Sequence, residues 1–71
     1  MKPKDKLIEA ATTLFSELGY DGTSVNDIAK RAGMNVSLIS YHFGGKQGLL
    51  EAVMGKLAHE KLQAAERLLT K

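Results

Sequence analysis

Glycine breaks an otherwise helical apolar rhythm at three places in this chain, and those breaks leave little choice of fold. Gly19 and Gly22 bracket one turn, Gly33 marks a second, and Gly44 with Gly45 marks a third. Between the breaks, apolar residues recur at i, i+3, i+4 and i+7, which is one face of a helix. Nothing ahead of Gly44 reads as a buried strand. The expectation is an all-α fold: a three-helix bundle plus the start of a long fourth helix.

The first segment runs from about Pro3 to Leu18, with Leu7, Ile8, Ala11, Leu14, Phe15 and Leu18 on its apolar face. Proline suits a first helical turn, where its missing N–H would be unpaired anyway. Gly19 fits the residue just past the end. The second segment opens with Ser24 as N-cap and Asp27 three residues on, a capping box with Asp in place of the usual Glu. Val25, Ile28, Ala29 and Ala32 follow at helical spacing, and the helix ends at Gly33. The third segment, "NVSLISYHF", has Asn35 as N-cap and only two turns before Gly44. A gap of about three residues containing a glycine, between two short helices, is the signature of a helix-turn-helix.

The fourth segment runs from Lys46 towards Lys71. Leu49, Leu50, Val53, Met54, Leu57, Ala58, Leu62, Ala65 and Leu69 keep one stripe. About 24 residues at 1.5 Å each make a helix roughly 36 Å long. The upper part of that stripe has nothing in these 71 residues to pack on. The expectation is a chain cut from a longer protein, or one that pairs with a second chain.

Composition narrows the function. Seventy-one residues make one small domain near the lower limit for a self-sufficient core, too small for a large enzyme cleft. There is no cysteine, so no disulfide framework and no thiolate metal site. His42 and His59 are the only histidines, and no carboxylate stands at ligand spacing from both. Neither a metal nor a cofactor is expected. No apolar run approaches the roughly 20 residues of a membrane span. The start "MKPKDK" lacks the apolar region of a signal peptide. A cytoplasmic, nucleoid-associated protein is expected. The net charge of +2 permits nucleic-acid binding without demanding it.

The stretch "SYHFGGKQG" looks at first like a phosphate-cradling loop for a nucleotide. A P-loop requires Gly, four residues, then Gly-Lys and a hydroxyl residue, after a strand. Here Gln47 follows Lys46, and Ser40 stands where the first glycine belongs. A phosphate in a DNA backbone is the better match.

In order along the chain stand an aliphatic-Glu-Ala-Ala helix ending in Leu14-Phe15, Gly19-Tyr20 before Gly22-Thr23-Ser24, Ile28-Ala29 before Gly33, and Tyr41-His42-Phe43 followed by Gly, x, Lys46. Over about residues 7–54 this ordered set resembles the N-terminal DNA-binding domain of TetR-family transcriptional regulators. The resemblance implies a helix-turn-helix DNA-binding domain over residues 1–46. Residues 47–71 would be a linking helix towards a C-terminal ligand-binding and dimerisation domain outside this chain. It also implies double-stranded DNA as partner, a homodimer for the full-length protein, a mainly monomeric fragment, and an effector bound only in the C-terminal part. Two departures stand out. Family members often carry serine where this chain has Gly45 and glutamate where it has Gly48, a capping box. The fourth helix should therefore start loosely, with Gly48 costing about 1 kcal/mol relative to alanine. Ser40 stands where a tyrosine is common, which removes one backbone contact.

Eight residues are candidates for the DNA contact. Val36, Ser37 and Leu38 open the recognition helix, whose N-terminal residues meet base edges in the major groove. Val and Leu offer only apolar contact, typically with a thymine methyl, whereas Ser can bond several bases. Val36 stands i−3 from Ile39, so periodicity alone allows it to be core or base-facing; Met34, Ile39 and Phe43 are expected in the core. Asn26 reaches either a base or a phosphate, or stays a solvated helix surface. For phosphate the candidates are Ser24, Tyr41, His42 and Lys46. Ser24 can cap a helix and donate to phosphate at once, because a helix N-terminus is itself an anion site. Tyr41 and His42 end the short helix, and both carry donors suited to phosphate. Lys46 in a first helical turn opposes the dipole, which makes sense when an anion approaches that end; the alternative is a solvated lysine in a turn. A catalytic triad is not expected, since Ser40 and His42, two apart on a helix, face different directions.

The reading is a sequence-specific DNA-binding domain of a bacterial TetR-type regulator, acting as a repressor, and not an enzyme. The alternative is a helical protein-interaction module that offers the stripe of the fourth helix to a partner. Salt separates the two: DNA binding weakens steeply with salt, and apolar helix docking does not.

Overall fold

The computed structural model describes residues 1–69, and within them the chain is four helices joined by turns, with no strand. They are α1 (Pro3–Leu18), α2 (Val25–Ala32), α3 (Ser37–Phe43) and α4 (Lys46–Leu69). The expected end of the last helix at residues 70 and 71, and the side chain of Leu69, lie outside the described residues. Helix α1 packs on α2 and α4, and α3 packs on α4.

Helical periodicity decides the core. Leu7, Ala10, Ala11 and Leu14 of α1 meet Ile28 and Ala29 of α2, Ile39 of α3, and Leu49 and Val53 of α4. Leu7, Ile28, Ile39 and Leu49 are fully enclosed, and each contributes about 1.5–3 kcal/mol by leaving water. Met34 and Phe43, expected in the core, pack against its edge and are half-buried. Leu18 departs from the expected apolar face and is 54% exposed. It stands in the last turn of α1, beyond the part of the helix that α2 and α4 cover. Ala10, not counted in the stripe, is buried instead.

The helix ends follow capping chemistry. Pro3 opens α1, and the Gly19 N–H closes it on the Phe15 carbonyl at 3.0 Å. The Ser24 hydroxyl accepts the Asp27 N–H at 3.1 Å, which is one half of the capping box. Gly33 adopts φ 70°, and its N–H donates to the Lys30 carbonyl at 3.1 Å while Met34 N–H donates to Ala29 at 2.9 Å. That pair of bonds is a Schellman closure, with Met34 supplying the apolar contact that accompanies it. It fixes the turn from α2 into α3. The Asn35 side-chain oxygen then accepts the Ser37 N–H at 2.9 Å. Val36 is already helical (φ −60°, ψ −27°), so Asn35 caps α3 as its sequence position suggests.

Past Val53, α4 buries no further described side chain, although Lys56, Leu57 and Glu60 still line a groove with Glu9, Thr12 and Thr13 of α1. Met54, Leu57, Leu62 and Leu68 are 60, 41, 65 and 75% exposed. No described helix is long and apolar enough to cross a membrane.

Candidate nucleic-acid interface

Helix α3 sorts its residues by face. Ile39 is buried and Phe43 is half-buried, both turned to the core. Val36, Ser37, Ser40 and Tyr41 are exposed, and spacings of three and four place Ser40 beside Val36 and Ser37, and Tyr41 beside Ser37, on the outward surface. For Val36 the choice left open by periodicity is resolved: it faces outward. Tyr41 is 81% exposed; so large a ring displayed to solvent contributes nothing to the core and leaves its hydroxyl available as a donor.

Leu38 sits differently from its neighbours. It is half-buried and packs against the core, so only its edge reaches the outward surface. It precedes Ile39 directly and shares part of that inward direction. Ser40 does the reverse. Its hydroxyl shares the face of Ser37 and Tyr41, and its spacing of three from Ser37 could have marked it beforehand.

Ser24 and Asn26 belong to another element, the first turn of α2, and both are exposed. The Ser24 oxygen accepts an N–H from Asp27, which leaves its own O–H free to donate outward. The start of α2 also carries the positive end of the helix dipole.

The end of α3 holds the aromatic cluster. His42 is half-buried between Tyr41, at 4.9 Å between ring centroids, and Phe43, at 6.2 Å. Both contacts run edge to face, which suits aromatic quadrupoles. Gly44 (φ 76°) and Gly45 (φ 132°) then turn the chain through conformations that side chains resist. Lys46 follows as the first residue of α4.

Gly48 corrects an expectation. A Cβ at this position would fall on the carbonyl oxygen of Phe43. The glycine is what lets α4 start hard against the end of α3, so alanine there would force the backbone to shift and is not the better residue that helix propensity suggests.

Lys46 is no freely solvated lysine. It is half-buried, and its ammonium lies 4.1 Å from the centroid of the Tyr20 ring. That is well within cation–π range. Tyr20 in turn contacts Phe15, 5.4 Å between centroids. Tyr20 lies in the turn after α1, where no periodicity marks it as a partner of Lys46. A second cation, Lys4 at the start of α1, lies 5.9 Å from the Phe43 ring. Two lysines distant in sequence thus flank the junction of α3 and α4. Among the described residues no three side chains of metal-binding type converge.

Comparison with known proteins agrees with this arrangement. Residues 7–53 match the family described as bacterial regulatory proteins, tetR family. The chain is 53% identical over 53 residues to the probable HTH-type transcriptional regulator YttP of Bacillus subtilis (strain 168), covering 75% of this chain and 26% of that protein. It is 50% identical over 48 residues to IcaR of Staphylococcus aureus (strain Newman), a negative transcriptional regulator of the biofilm operon icaADBC, covering 68% of this chain and 26% of that protein. The crystal structure of HlyIIR, a hemolysin II transcriptional regulator, is similar with a TM-score of 0.72 at 43% identity, over 75% of this chain and 30% of that one. The chain thus spans about a quarter of the length of the curated relatives it matches. With helices, turn and outward face in the order this match requires, the chain belongs to the tetR family of bacterial regulatory proteins.

Proposed function

We propose that the chain binds double-stranded DNA sequence-specifically as the reading head of a transcriptional repressor. The observation that carries this is the outward face of α3: Val36, Ser37, Ser40 and Tyr41 are all exposed on one side of a helix whose other side is anchored by Ile39. Val36 and Ser37, with the edge of Leu38 and with Asn26, supply base contacts. These are sparse and largely apolar, so the thymine methyl is the main feature read. Ser24, Tyr41, His42 and Lys46 supply phosphate contacts, which carry most of the affinity. Repression is supported by the negative regulator among the relatives. We assign residues 1–46 to DNA reading and the helix that follows to linking, its first turns through Val53 completing the core of the reading head. Homodimerisation and effector binding are assigned to parts of the regulator outside residues 1–71, and the setting is the cytoplasm, at the nucleoid.

Selection of bound duplexes from a random pool tests the reading. Enrichment of one short motif, with affinity that falls steeply as salt rises, is the expected result. Binding without sequence preference would remove the specific part, and no binding at low salt would remove the whole. The exposed stripe of Met54, Leu57, Leu62 and Leu68 favours one second reading, a docking surface for a partner helix. Association through that stripe would persist at high salt.

A further inference from the structure

We propose that Tyr20 is a positioning residue for DNA binding: its ring face holds the Lys46 ammonium where it meets a backbone phosphate. This rests on the phosphate role given to Lys46 above and names the group that prepares it. Lys46 occupies the first turn of α4, where a cation is opposed by the helix dipole. Left alone, a lysine there would swing away into water. The Tyr20 ring, 4.1 Å from the ammonium, holds it through the negative face of its quadrupole.

Tyr20 is itself held. Its carbonyl accepts the Thr23 N–H at 3.2 Å, and the buried Thr23 hydroxyl donates to the Gly19 carbonyl at 2.8 Å, with Leu14 O at 3.2 Å. Phe15 contacts its ring. The turn between α1 and α2 therefore presents a fixed aromatic surface to the start of α4. An ammonium has three N–H donors in a compact head, so one side can rest on the ring while the other serves an anion. Lysine loses much rotamer freedom on being ordered. A side chain already held loses less of it when phosphate arrives. The ring adds no net charge, so it strengthens the grip without changing the number of counterions released.

The test uses this chain and a mixed-sequence duplex, since a phosphate contact needs no particular sequence. Fluorescence anisotropy across a salt series gives affinity and slope. Lys46→Ala should weaken binding and flatten the log–log slope by about one unit. Tyr20→Leu should weaken binding about two- to five-fold, the equivalent of an exposed cation–π contact, with the slope unchanged. In the Lys46→Ala background, Tyr20→Leu should change nothing further. Tyr20→Phe should bind like the parent. Replacing Tyr20 with pentafluorophenylalanine keeps a folded ring but removes its negative face, and should weaken binding as leucine does even where leucine lowers stability. The inference is overturned if Tyr20→Leu weakens both backgrounds equally, since the effect is then structural. It is also overturned if Tyr20→Phe loses as much as Tyr20→Leu, since the hydroxyl is then the contact. An unweakened fluorinated chain overturns it as well. If Lys46→Ala leaves affinity and slope intact, the phosphate role of Lys46 falls too; if that variant weakens binding and the Tyr20 variants do not, only the positioning role falls.

Discussion

The buried hydroxyl of Thr23 reaches back across the first turn to the carbonyl of Leu14, at 3.2 Å, sharing its hydrogen with Gly19. Thr23 is 2% exposed and the only polar residue buried among those described. Thr23→Val keeps the shape and removes the donor. We expect a loss of about 0.5–1.5 kcal/mol, the net worth of a hydrogen bond whose acceptors keep other partners or reach water. In a domain of this size that is a fall in Tm of roughly 4–8 °C per kcal/mol. Thermal denaturation followed by circular dichroism checks it, and an unchanged Tm would show the hydroxyl to be dispensable.

Gly48→Ala should also destabilise, against the ordinary gain of about 1 kcal/mol for replacing a helical glycine. The new methyl meets the Phe43 carbonyl oxygen, and relieving such an overlap typically costs about 1–3 kcal/mol. DNA affinity should fall with it, because the shift moves Lys46 relative to α3. A variant more stable than the parent in urea denaturation would contradict this geometry.

Ser37 and Leu38 should separate on substitution, although they are neighbours. Ser37 is exposed on the outward face, so Ser37→Ala should cost about 1–3 kcal/mol on the preferred site and little on scrambled DNA. Leu38 packs partly on the core, so Leu38→Ala should lower stability and weaken both duplexes. The comparison is of affinities for the two duplexes at one salt concentration. Loss of preference in Leu38→Ala without loss of stability would make base contact, and not packing, the main role of Leu38.

Lys46→Ala should leave stability almost unchanged. Removing a cation from the positive end of α4 gains about 0.3–1 kcal/mol. Losing the contact with Tyr20 costs about 0.5–1 kcal/mol. The two offset, so a melt within a few degrees of the parent is expected, alongside weaker DNA binding.

Local chemistry was legible in the sequence. Pro3, Ser24, Gly33 and Asn35 announce helix ends through rules that act within four residues, and the structure places the ends there. The order of motifs over about residues 7–54 was also legible as one family, and the family match covers residues 7–53. What could not be read needs contacts between one element and another. The pairing of Tyr20 with Lys46 spans two turns and two helices. The clash that reserves position 48 for glycine involves the carbonyl of Phe43, in the preceding helix. Neither leaves a periodic signal. Leu18 fits the apolar rhythm of α1, yet rhythm gives the direction of a side chain and not whether anything stands there to cover it.

Val53 is the last buried residue of α4, and that sets the edge of the cooperative unit. The 16 residues from Met54 to Leu69 are helical, and every one whose burial is described is exposed. Isolated helices of about 12–15 residues are marginal in water. Backbone amides up to Val53 should exchange with deuterium only when the whole bundle opens, whereas those beyond should exchange through local fraying. Helicity will then decay over a broad range on heating while the environment of the Tyr20 ring changes in one sharp step. A single two-state fit to the circular dichroism of this chain would mix the two processes and understate the steepness of unfolding of the bundle.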